Sequence, residues 1–102
     1  MRMVVLAAAL VTAMSTAAPA VADDASFVDV LDLMDITVGD APTAVAMGRS
    51  VCADLDLGTP LPAVVDRLVG AHGLSAEDAA LVAGFSVAEY CDQHEPALRA
   101  AS

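Results

Sequence analysis

Lysine, asparagine and tryptophan are absent from the 102 residues, and the aromatic set is one tyrosine and two phenylalanines. Four arginines supply every fixed cation, against fourteen Asp and Glu. Such a chain lacks the cations to hold a nucleic acid or an anionic membrane, because phosphate surfaces are bound through lysine and arginine. Without an aromatic cluster there is no stacking platform for a sugar. With two histidines and two cysteines in all, a nucleophile paired with a base has few places to form. Scarce Lys and Asn beside abundant Ala, Val and Asp is the bias of a high-G+C genome, which speaks to origin and not to activity.

What is present begins with an export signal. Arg2 is the only charge before residue 23, residues 4–14 form an apolar run broken only by Thr12, and Ser15 to Pro19 loosen the helix. Ala20-Val21-Ala22 then places small residues at the −3 and −1 positions of a cleavage site before Asp23. Ala18-Pro19-Ala20 is a second candidate two residues earlier. An uncleaved anchor needs ~20 mostly apolar residues, whereas Thr12, Ser15, Thr16 and Pro19 interrupt this one. We therefore expect residues 1–22 to be a signal peptide and 23–102 the secreted domain, located outside the cell or at its envelope. No later segment is long enough to span a bilayer.

Removing the leader changes the reading of the composition. The hydrophobic fraction of 58% is inflated by it. The remainder keeps Arg49, Arg67 and Arg99 against all fourteen carboxylates, a net charge of −11. A domain that small has a marginal core and benefits from a covalent staple. Cys52 and Cys91 are the only cysteines, and an even count in an oxidising compartment favours a disulfide. Free thiols or a redox pair are the alternative, although redox pairs are normally spaced C-x-x-C.

Helix-type spacing recurs and no stretch alternates as a strand does, so the expected fold is all-α, a four-helix domain with one disulfide. The first helix is expected over about residues 26–36, capped by Ser26 and burying Phe27, Val30, Leu31 and Met34. The second, over about 42–57, buries Ala44, Met47, Gly48, Val51, Cys52 and Leu55, with Gly48 marking close approach of another helix. A third follows Thr59-Pro60 on Leu61, Val64, Val65 and Leu68, ending at Gly70 or Gly73. The fourth starts at Ser75, with Leu74 as a staple, and continues to about Asp92. On its wheel Asp78, Val82, Ser86, Glu89 and Gln93 form a narrow polar strip, and nearly everything else is apolar. That pattern makes it the structural centre.

Gly48-Arg49-Ser50-Val51-Cys52-Ala53-Asp54-Leu55-Asp56-Leu57-Gly58 resembles the G-x-x-x-C-x-x-L-x-x-G element of a small secreted mycobacterial family, catalogued as domain of unknown function 732. Ala88-Glu89-Tyr90-Cys91 resembles its closing A-x-x-Y-C element, and Phe27 fits its opening. Asp92 stands where that family is expected to carry proline. The resemblance implies a secreted, helical, disulfide-linked domain and brings no activity or catalytic residues with it.

No catalytic constellation or metal site is expected, and no cofactor. His72 lies in a turn between glycines and His94 in the polar tail. Tyr90 and His94 stand four apart and belong to residue types that ligate haem, but Tyr90 fits the core more simply. Asp54-Leu55-Asp56-Leu57-Gly58 opens like a calcium loop yet lacks its later acidic ligands. Asp29, Asp32 and Asp35 follow one helix face and read as solvated charges. The function expected is non-catalytic: a binding or interaction module whose contact face is Leu81 and Phe85 on the fourth helix. The alternative is a carrier of a small apolar ligand, lipid or haem, which would need a cavity beside that helix.

Overall fold

A computed structural model describes residues 23–101, so the expected leader at 1–22 lies outside the described residues. The described residues form five helices: α1 (Asp24–Leu33), α2 (Ala41–Asp56), α3 (Leu61–His72), α4 (Ala76–Tyr90) and α5 (Glu95–Ala101), with a 3-10 turn at Asp92–His94 before the last. The expected all-α class holds, with five helices in place of four. The extra one begins at Glu95-Pro96, where proline sits in the first turn and costs no hydrogen bond.

α1 starts two residues earlier than its serine suggested. The Asp23 carboxylate accepts from the Ser26 backbone N–H at 3.2 Å and from its hydroxyl at 3.0 Å, so Ser26 is the donor and Asp23 the cap. The helix ends at Leu33 because Asp35 turns left-handed at φ 59°. Ile36 then donates to the Leu31 carbonyl at 2.9 Å, Asp35 donates to that of Asp32, and Ile36 is buried. This closing motif satisfies the free carbonyls. It also swings Met34 outward, to 46% exposure, in place of its expected burial.

In α2 the Asp40 carboxylate accepts from the Thr43 N–H at 3.0 Å and from its hydroxyl. The buried set is Ala44, Met47, Gly48, Val51, Cys52 and Leu55, as the periodicity predicts. Gly58 at φ 84° ends the helix, with Thr59 donating to the Asp54 carbonyl. The Asp23 and Asp40 carboxyls are both held below the ordinary carboxylate range, Asp23 chiefly by the Ser26 backbone N–H and Asp40 chiefly by the Thr43 hydroxyl. Their capping is complete above that range and is lost as pH falls through the lowered values.

α3 buries Val64 and Leu68 and ends at Gly73, which takes φ 68°. Arg67 ties α3 to α2, donating to Asp54 and, at 2.9 Å, to the Ser50 hydroxyl.

α4 packs against every other helix, so its central place is confirmed. Its buried face is different from the one expected. Ala79, Val82, Ala83, Ser86 and Val87 point inward, and Val82 and Ser86, assigned to a polar strip, are completely buried. Ser86 tolerates this because its hydroxyl donates to the Val82 carbonyl at 2.7 Å, one turn back in its own helix. A serine satisfied in that way packs like a small apolar residue. The outer face carries Glu77, Ala80 and Ala88. The helix stops at Tyr90 because Cys91 leaves helical geometry (φ −155°, ψ 61°), two residues before the expected end.

Cys52 and Cys91 form the disulfide, with Cα atoms 5.9 Å apart and both residues buried. The bridge joins α2 to the residue that terminates α4, across a sequence separation of 39.

Candidate functional site

An open apolar groove of about 730 Å³ lies between α1 and α2. Ala25 and Val28 form one wall, Pro42, Val45 and Ala46 the other, and Asp24, Asp29 and Arg49 edge it. Its origin is simple: α1 commits Phe27 and Leu31 to the core and α2 commits Ala44, Met47 and Val51. The next positions round each helix are small and apolar, and they face each other across an open cleft. Beyond Asp29 the surface of α1 continues through Asp32 to Leu33, which is 83% exposed.

One end of the groove is fixed by a network drawn from three helices. The Tyr90 hydroxyl donates to Asp24 Oδ1 at 2.6 Å, and Arg49 Nη2 donates to the same oxygen at 3.0 Å. The Arg49 guanidinium lies 4.6 Å from the Tyr90 ring centroid, a cation–π contact. On the inner side the Tyr90 ring meets Phe27, with centroids 5.3 Å apart and planes tilted by 56°. Gly48 makes room for both rings: a Cβ there would lie 2.7 Å from Phe27 Cζ and 3.0 Å from Tyr90 Cε2. Gly48 is closely approached, but by the rings of Phe27 and Tyr90 rather than by the backbone of another helix.

Burial raises the Tyr90 hydroxyl well above its ordinary value, and the hydrogen bond to the anionic Asp24 adds to the effect. The neutral phenol is the form the fold favours. Its contribution is complete below about pH 10 and is lost as pH rises through the raised value. Tyr90 is the sole tyrosine and tryptophan is absent, so absorbance near 295 nm reads this group alone. In a spectrophotometric titration Tyr90 is expected to stay un-ionised past pH 11 and to ionise together with unfolding. An ordinary curve centred near 10 would contradict the burial argument.

The residues singled out from sequence fall in separate places. Tyr90 engages Asp24 at the start of α1, whereas His94 Nε2 lies 2.6 Å from Asp56 Oδ1 at the end of α2. Arg49 and Asp56 are two helical turns apart, roughly 10 Å of rise, so Tyr90 and His94 reach opposite stretches of α2 and share no ligand position. Leu81 and Phe85 are half-buried and pack on the core, which leaves a smaller contact face than expected. His72 closes α3 in place of the expected turn. Among the described residues no group of three or more His, Cys, Asp or Glu is placed to hold a metal ion. No described helix is long and apolar enough to cross a membrane. Sequence reasoning missed Asp24 and Arg49. The available signal was rarity: Arg49 is one of three cations after residue 22, and it stands one residue from the glycine that approaches the rings.

Fold and site define a small acidic, disulfide-linked, all-helical domain with an open apolar groove. The chain matches the family described as "Protein of unknown function (DUF732)" over residues 22–93, and it belongs to that family. No curated protein and no solved structure matches it.

Proposed function

We propose that this is an exported, non-catalytic binding module, working outside the cell or at its envelope, and that the α1–α2 groove is its contact surface. The observation that carries the reading is the groove itself, an apolar cleft of ligand-accommodating size that the fold leaves uncovered. Support for export comes from the leader pattern, from the likeness to a secreted mycobacterial family and from a disulfide that needs an oxidising compartment. The family match also begins at residue 22, where the expected leader ends.

The occupant that fits is a cationic amphipathic helix of a partner protein. Its apolar face would cover Val28, Val45 and Ala46, while its Lys or Arg residues would meet Asp29 and Asp32 on a chain of strongly negative charge. The carrier alternative gains nothing from α4. Ala80 and Ala88 are exposed, and a methyl group built on Gly84 would meet nothing within 4 Å, so these small residues face outward.

A fluorescent Leu/Lys amphipathic peptide serves as the test ligand, with Ala46→Glu as the deciding variant. Ala46 is exposed, so the change leaves the fold intact. Burying its carboxylate under an apolar face is expected to weaken binding at least about tenfold. If attraction were charge alone, the added negative charge would tighten binding, and that outcome would sink the groove assignment. A lipid co-purifying with the native protein in mass spectrometry would favour the carrier alternative.

A further inference from the structure

The backbone nitrogen of Asp23 donates to Glu89 Oε1 at 3.0 Å, across 66 residues of sequence. Asp23 is also the residue that the preferred leader cleavage would place first in the mature chain. We propose that Asp23 is the mature N-terminus and that Glu89 of α4 binds its α-ammonium group, so that processing itself fastens α1 to α4. This rests on the export reading above. The step is hydrolysis of the Ala22–Asp23 peptide bond by a leader peptidase. Water adds across the C–N bond, Ala22 keeps the oxygen as a carboxylate, and Asp23 keeps the nitrogen, protonated to ammonium.

The surroundings suit a cation at that nitrogen. From α4 Glu89 faces it directly, beside a neutral Tyr90, while the Asp23 carboxylate is turned to Ser26 and that of Asp24 to Tyr90 and Arg49. Arg49 of α2, the cation the described residues place near this corner, is already committed to Asp24. Glu89 thus meets one neutral N–H in the uncut chain and would meet a full charge in the processed chain. Ammonium–carboxylate hydrogen bonds are roughly twice as strong as neutral ones. Cleavage at the earlier Ala18-Pro19-Ala20 candidate would put the ammonium on Val21, up to about 7 Å of chain away from the Glu89 contact. Under this proposal the Glu89 contact favours Asp23 over Val21 as the first residue.

The test exploits the missing lysines: in the processed protein the α-amino group is the only primary amine. The full chain is exported through its own leader in a bacterial host, and intact mass gives the N-terminus, expected at Asp23. Trace acetic anhydride at neutral pH and low salt then labels that amine. Wild type is expected to react roughly two- to fivefold more slowly than Glu89→Gln, with the gap closing in high salt. Glu89→Asp, which keeps the charge and withdraws it by one methylene, should fall between them. Glu77→Gln removes the same charge from the other end of α4 and should leave the wild-type rate. An N-terminus elsewhere overturns the processing step and the proposal with it. A terminus at Asp23 with equal rates in wild type and Glu89→Gln overturns the capture alone and leaves export standing.

Discussion

Removing the Cys52–Cys91 bridge, by the double change Cys52→Ala with Cys91→Ala, is expected to lower the thermal midpoint by about 15–30 °C. The bridge closes a loop with a sequence separation of 39. The chain-entropy treatment gives such a loop roughly 4 kcal/mol, and each kcal/mol moves the midpoint of a domain this size by about 4–8 °C. Position makes the loss structural as well as entropic. Cys91 is the residue at which α4 stops, and beyond it the 3-10 turn and α5 have only a short apolar face, with Leu98 packed on the core. Without the bridge the His94–Asp56 contact and Leu98 still tie that C-terminal segment to the rest of the domain. Both sulfurs are buried, so native protein should resist mild reductant and lose the bridge once denaturant opens the core. Calorimetry of the double variant checks the magnitude. A midpoint within 5 °C of wild type would mean that the core alone suffices.

The elements legible in the sequence were those whose marks are local. α2 shows why: a first-turn proline, an unbroken 3.6-residue arc and a terminal glycine all point the same way, and its six buried residues follow. Cys52 and Cys91 were legible by count. α5 was hidden because a proline four residues beyond the expected end at Asp92 reads as a stop, although a first-turn proline also opens α2. The buried face of α4 was hidden because serine was read as a mark of solvent, and the Val82 carbonyl satisfies Ser86 within the helix. The groove was not legible at all. Ala25, Val28, Val45 and Ala46 sit beside the core arcs of their helices, and only the angle at which α1 meets α2 makes them a surface. The Tyr90–Asp24–Arg49 network likewise depends on bringing together residues 66 apart, which no local pattern encodes.

Phe27→Ala is expected to cost about 3–5 kcal/mol, because the ring is completely buried and fills the junction of α1, α2 and α4. That is a large fraction of the stability available to a small domain. Gly48→Ala is the informative companion. In the native background its methyl would lie 2.7 Å and 2.8 Å from Phe27 Cζ and Cε2, and the enclosed ring has nowhere to go. Overpacking of about 1–3 kcal/mol then outweighs a gain in helix propensity of about 1 kcal/mol, and the net effect is destabilising. With Phe27 truncated the nearest atoms are gone. The same substitution should become neutral or stabilising, since only the Tyr90 edge at 3.0 Å remains and the vacated space lets that ring shift. The two changes are therefore expected to couple by roughly 2 kcal/mol, the double variant being more stable than the sum of the singles implies. Should Phe27→Ala leave too little folded protein, Phe27→Leu removes the same ring-edge atoms at lower cost and keeps the cycle measurable in urea unfolding. Additivity within about 0.5 kcal/mol would show that the ring and the glycine do not meet, and would remove the physical reason for glycine at position 48.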